Sequence, residues 1–140
     1  MKWITRERVK IDRVACPWLI RKFVDPDAEF VFLPHNTDWA SVRDGVVYDV
    51  TGCEPCHHGE EVSLDAILKK YRLTDPALVM LAQIVRAADS HPGDPHPAGE
   101  GLRWIAHGFS ALGLSDHEIL QRECIVYDIL YTECRKRAVA

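Results

Sequence analysis

Lys10-Ile-Asp-Arg-Val-Ala-Cys-Pro-Trp-Leu-Ile-Arg-Lys-Phe23 decides how this chain folds, because a helix there links two strand-like segments. Upstream, Lys2–Arg6 alternates weakly and reads as a first strand. Downstream, Asp25-Pro26-Asp27 is a turn, and Glu29–Leu33 is an apolar run rich in Phe and Val, the composition of a strand. Strand, helix, strand at this spacing predicts a small α/β layer whose first two strands are parallel. Two helix starts are open. With Pro17 at the first helical position, its missing N–H costs nothing, and the Cys16 sulfur caps the positive end of the helix dipole. With Asp12 as the cap, Pro17 falls near the end of the first turn and breaks one backbone bond. Either way Lys10, Asp12, Arg13 and Arg21 gather charge at a helix N-terminus, a natural anion site. In the arrangement with Pro17 first, Cys16 is expected to ionise more easily than a free thiol. The plainer alternative is a surface helix with Trp18, Leu19 and Phe23 packed inward and its charges solvated.

Beyond this unit, Trp39 to Val42 predicts a short helix, and Gly45 turns the chain into a strand over Val46–Val50. From Ser63 onward the pattern switches to the helical period. Ser63 caps a helix with Leu64, Ile67, Leu68 and Tyr71 on one face. Asp75 with Pro76 opens a second, with Leu78, Leu81, Ile84, Val85 and Ala88 inward. The stretch Ser90–Pro97 holds three prolines and one glycine and reads as a loop. A third helix is predicted over Gly99–Leu112, with Leu102, Ile105 and Phe109 toward the core and Gly113 as its stop. Ser115 and Glu118 form a capping box for the last helix, which carries Ile119, Leu120, Tyr127, Leu130 and Tyr131. The predicted fold class is α+β in a single domain, 1–140. Residues 1–62 form an α/β layer of about three to four strands and one main helix. They pack on a layer of about four helices over 63–137.

Composition narrows the function classes. With 47% apolar residues in 140, the chain can bury a real core, and disorder is excluded as a default. Seventeen basic against 21 acidic residues give a net charge of −4, the wrong sign for direct nucleic-acid binding, so none is expected. The cations concentrate at Lys10–Lys22 and at Arg135-Lys136-Arg137, where the second group complements a helix C-terminus. No apolar stretch approaches the roughly 20 residues that cross a bilayer, and no cleavable leader is visible, so a cytoplasmic, membrane-free protein is expected. Five cysteines, an odd number, favour reduced thiols over a disulfide framework.

Several residues could carry chemistry. Cys53-Glu-Pro-Cys-His57 matches the pattern of covalent haem attachment, but that chemistry belongs outside the cytoplasm and no distal methionine is evident; haem is not expected. Cys53, Cys56, His57 and His58 could bind zinc, although four ligands so close in sequence strain a tetrahedron; reduced bystander thiols are the alternative. The His58 imidazole can ligate a metal or shuttle a proton near neutral pH, and Glu60 shares its side in an extended segment. Asp89 ends a long helix, where a carboxylate opposes the dipole and calls for a cation, a metal or water. His91, Asp94, His96 and Glu100 follow it, a density of donors that also suits a polar loop.

The opening segment, with Phe23, Asp25 and Ala28-Glu29-Phe30 after it, resembles the start of the C-terminal domain of the ChrB chromate-resistance family. The similarity continues at His58-Gly59, at Val85-Arg86-Ala87-Ala88-Asp89 and at Val126-Tyr127-Asp128-Ile129-Leu130-Tyr131. Longer members carry a further N-terminal domain linked to chromate-responsive regulation, which this resemblance does not extend to. It implies a chromate-resistance-type domain handling a small anionic ligand or substrate. Lys10, Arg13, Trp18 and Arg21 are the candidate binding residues. Lys10, Asp12, Arg13, Cys16, His58 and Glu60 are the candidate catalytic ones. His58 and Asp89 are the candidate ligands of a divalent transition metal ion. Metal-assisted chemistry on a small molecule and a non-catalytic oxyanion or metal sensor both fit. A homodimer is the remaining partner expectation, with the aromatic last helix facing either a partner or its own core.

Overall fold

The computed structural model describes residues 1–50, 63–90 and 95–139. Its sheet is parallel throughout, with β1 (Lys2–Arg6) in the centre between β2 (Glu29–Leu33) and β3 (Val46–Val47). Lys2 pairs with Glu29 and Arg6 with Leu33, while Trp3 and Ile4 pair with Val46 and Val47. The third strand is shorter than Val46–Val50. Tyr48 still donates its N–H to the Ile4 carbonyl (3.0 Å), but Asp49 turns into the left-handed region at φ 49° and ends the pairing. Trp39–Ser41 forms one tight helical turn before it.

The crossover helix α1 (Asp12–Leu19) starts at Asp12, so Pro17 lies inside it. It continues into a wider π-helical turn, Ile20–Val24, which closes when the Asp25 N–H reaches the Ile20 carbonyl at 2.7 Å. Among the described residues four helices follow: α2 (Ser63–Lys70), α3 (Pro76–Ser90), α4 (Pro97–Ala111) and α5 (Asp116–Ala138). The architecture is α+β.

Local signals explain the helix ends. The Asp75 side chain accepts the Ala77 N–H (2.8 Å) and opens α3. Gly113, at φ 74°, follows the end of α4, and just after it Ser115 and Glu118 exchange the two bonds of a capping box (3.2 Å each) that opens α5. Helix α4 begins two residues earlier than its apolar pattern suggests, because the His96 ring accepts the Ala98 N–H (3.0 Å) and Pro97 takes a first-turn position. There is a correction on its inner face as well: Leu102 and Ala106 are buried, whereas Ile105 is exposed. The close approach of α3 to α4 rests on Gly99, since a methyl there would stand 2.7 Å from the Ala87 side chain.

The core runs from Trp3, Phe30 and Tyr48 through Val14, Trp18 and Leu19 to Leu78, Leu81, Val85, Leu120 and Tyr127. Long-range bonds tie the two ends of the chain together. Tyr127 donates to the Ile11 carbonyl (3.1 Å), Trp18 to the Asp128 carboxylate (2.9 Å), and Asp116 accepts the N–H groups of Arg8 and Val9 (3.0 and 2.8 Å). Among the described residues, no helix is long and apolar enough to cross a membrane.

Candidate functional site

In a parallel sheet, ligands bind where the carboxyl ends of the strands meet the following helices. Here that edge is formed by the loop after β1, the start of α1 and the Tyr48-Asp49 turn after β3. Asp12, the first residue of α1, is only 2% exposed. It does not cap its own helix. Its carboxylate crosses to α2, where Oδ2 accepts the Ser63 N–H (2.7 Å) and Oδ1 the Leu64 N–H (3.2 Å). Two otherwise orphaned helix N–H groups are thereby satisfied, at the end of α2 where the dipole favours negative charge. The Ser63 hydroxyl in turn donates to Asp49 Oδ1 (2.8 Å).

Arg13 completes this network. Its Nη1 lies 3.6 Å from Asp49 Oδ2, and its Nη2 donates to the Arg8 carbonyl (3.1 Å). Its Nε is buried with no hydrogen-bond partner among the described residues, and the same holds for the Tyr48 hydroxyl. Buried polar groups are nearly always paired, so two orphan donors at one sheet edge mark a place for an acceptor.

Cys16 lies one turn on from Asp12, is fully buried, and donates its thiol hydrogen to Asp12 Oδ1 (3.4 Å). This corrects the expectation of a readily ionised thiol. Burial raises its pKa well above the usual value, and the carboxylates of Asp12, Asp49 and Asp89 push it further. The sulfur sits inside α1, not over its positive end. Asp89, in the last turn of α3, stands near enough to Cys16 and Tyr127 to act on them. Tyr48 and Tyr127 are likewise held protonated, chiefly by burial.

The opening motif is therefore split. Asp12, Arg13 and Cys16 belong to the sheet edge, with Asp89 within electrostatic range. Lys10 is solvent-exposed. Trp18 and Arg21 line a different feature, a cleft between α1 and α5. Eight residues separate Arg13 from Arg21, about 12 Å along a helix. His58 and Glu60 lie outside the described residues, as do Cys53, Cys56, His57, His91 and Asp94. His96 is a helix cap. Among the described residues no group of three His, Cys, Asp or Glu side chains is arranged to hold a metal ion.

Sequence reasoning missed Asp49 and Tyr48, which carry no local motif, and Glu123, which does carry a signal. It stands on the buried face of α5 between Ile119, Leu120 and Tyr127, at the helical period of an apolar stripe. The Glu123 carboxyl is 0% exposed, and both oxygens lack a hydrogen-bond partner among the described residues. Tyr127, its neighbour one turn on, has its single hydroxyl proton committed to the Ile11 carbonyl. Burial raises the Glu123 pKa to about 7, a shift that the Tyr127 hydroxyl only partly opposes.

Fold and site thus define a small α+β domain with a polar, partly orphaned cluster at the carboxyl edge of a parallel sheet. The model of the family described as ChrB, C-terminal domain matches residues 3–134, and the chain belongs to that family. It is similar to Protein ChrB of Cupriavidus metallidurans (strain ATCC 43123 / DSM 2839 / NBRC 102507 / CH34), at 33% identity over 132 residues. The alignment covers 94% of this chain and 40% of that relative, so the chain spans well under half of the relative's length. No solved structure matches it.

Proposed function

We propose that this domain serves chromate resistance by handling a small anionic ligand or substrate at the carboxyl edge of the sheet. The observation that carries this reading is the buried, partnerless Nε of Arg13 beside the similarly orphaned Tyr48 hydroxyl. A guanidinium held at one end by Asp49 keeps an N–H free for an incoming oxygen, and charge-assisted bonds of this kind are the strong ones. Asp12 fixes α2 and positions Cys16. Neutral Cys16 is a wall of the site, not a nucleophile.

Asp89 and His58 are the residues we assign to a divalent transition metal, which would supply Lewis-acid or ligand-orienting chemistry. Asp49 and Ser63 flank the segment that contains His58 in sequence, and both belong to the sheet-edge network. Carboxylate and imidazole donors suit such an ion. The suppressed ionisation of Cys16 favours a second reading, a sensor that binds without turnover.

Elemental analysis of the purified chain, followed by calorimetric titration with chromate and sulfate, tests the proposal. Bound metal should fall when His58→Ala and Asp89→Ala are combined, and Arg13→Met should weaken oxyanion binding at least about tenfold, one bond's worth of discrimination. Unchanged oxyanion binding in Arg13→Met would refute the site. Turnover screening with the recovered metal separates enzyme from sensor.

A further inference from the structure

We infer that the cleft between α1 and α5 is a second binding site, for a small organic anion with an apolar body. It is independent of the sheet-edge site, because Asp12, Arg13 and Cys16 do not line it. Its volume is about 500 Å³, within the range of small-molecule pockets.

The lining has two chemistries. The floor is apolar, with Trp18 and Leu120 both nearly buried. The rim carries the cations Arg21 and Lys22, with the His117 ring beside them. These cations are not equivalent. Lys22 is answered by Asp128 at 2.7 Å, the same carboxylate that accepts the Trp18 N–H, and the pair of donors holds Asp128 ionised. Arg21 has no carboxylate partner among the described residues. Its guanidinium packs 4.8 Å over the Phe30 ring and spends one N–H on the Ala28 carbonyl (3.4 Å). A planar cation steadied on an aromatic face, with most of its five donors uncommitted, is suited to a carboxylate or sulfonate.

The backbone gives an independent argument. Arg21 and Lys22 both lie on the π-helical turn Ile20–Val24. Such turns are rare and poorly bonded, and they recur where a helix must aim side chains at a functional site. The floor also selects among anions. A tetrahedral inorganic oxyanion has no surface to place against an indole and a leucine, and would leave them wet. A flat ring bearing one acidic group satisfies both halves.

The test uses the full chain and the fluorescent probe 1-anilinonaphthalene-8-sulfonate. Saturable binding of one probe per chain is expected. Arg21→Met should weaken it at least tenfold, and Gln121→Trp, an exposed lining position filled with a large side chain, should abolish it. Both variants should melt like the parent; Arg21 is solvent-exposed, so its replacement alone keeps the test decisive if the tryptophan is not tolerated. Displacement of the probe by 2-naphthoate, but not by sulfate or chromate at matched ionic strength, completes the expected result. Absence of saturable binding would overturn the inference. So would parental affinity in Arg21→Met, which would place the probe elsewhere, for example on the exposed Trp104 face of α4. Equal displacement by sulfate would reduce the cleft to a plain oxyanion site and would also overturn it.

Discussion

Asp12 and Glu123 are both carboxyl groups sunk into the interior, and the protein treats them in opposite ways. Asp12 is met by two backbone N–H groups and a thiol. Glu123 is met by no donor among the described residues. The first is an anchor, because it satisfies donors that α2 cannot satisfy alone. The second is kept in the core by the apolar packing around it and compensates by holding its proton. Burial by itself therefore says little about what an acidic residue contributes; the donors within reach decide it.

The largest expected effect comes from removing the anchor. Asp12→Ala strands the Ser63 and Leu64 N–H groups in a buried place, at a cost of about 4 kcal/mol for two unsatisfied donors. Urea unfolding checks this. A loss below about 1 kcal/mol would mean that water replaces the carboxylate, and the contrast with Glu123 would collapse.

Glu123 should show itself as a pH dependence of opposite sign to that of a salt-bridged acid. The folded state keeps its proton up to about pH 7, whereas the ordinary value is 4.5. Between those values unfolding releases a proton, so this contribution to stability is full below about pH 4.5 and lost as pH rises to about 7. The loss is on the order of 3 kcal/mol, from roughly 1.4 kcal/mol per pH unit. Melts of the parent and of Glu123→Gln from pH 5 to 8 should differ in slope over this window and run parallel above it. Parallel curves throughout would show that the carboxyl finds a donor in solution.

A milder version of the anchor lies nearer the surface. Asp116 accepts the N–H groups of Arg8 and Val9 and so holds the β1–α1 connection, where Arg8 sits at φ 64°. Asp116→Ala should cost about 1 kcal/mol, the size of a lost helix-cap bond, because water can reach the freed donors. A melting shift as large as that of Asp12→Ala would show that connection to be as critical as the start of α2.

These carboxylates also mark how far the sequence could be read. The strands at Lys2–Arg6 and Glu29–Leu33, the Asp75-Pro76 start and the Ser115–Glu118 box were legible because each depends on neighbours in sequence. Glu123 was legible in principle, as an acid at a core position of a 3.6-residue stripe. The separation of Trp18 and Arg21 from Asp12 and Cys16 also follows from about 100° of rotation per helical residue. The state of Cys16 did not follow from its neighbours. It is set first by burial and then by Asp12, Asp49 and Asp89, whereas the helix dipole of the local segment points the opposite way. The truncated third strand was hidden too, because nothing near Asp49 announces a left-handed residue.

The bonds between the chain's two ends have a consequence for how the molecule comes into being. Tyr127 reaches Ile11 across 116 positions, Trp18 reaches Asp128 across 110, and Asp116 reaches Arg8 across 108. The central strand also pairs only with later strands. A chain emerging from the ribosome at about 5–20 residues per second therefore exposes α1, with Trp18 and Leu19, for several seconds before α5 arrives to cover them. Contacts of such wide sequence separation also slow folding, since the loops must close before they are rewarded. Helix α1 is thus made well before α5, the helix that secures it. A stop codon anywhere before Asp116 should yield an N-terminal fragment that seeks chaperones instead of a smaller working domain.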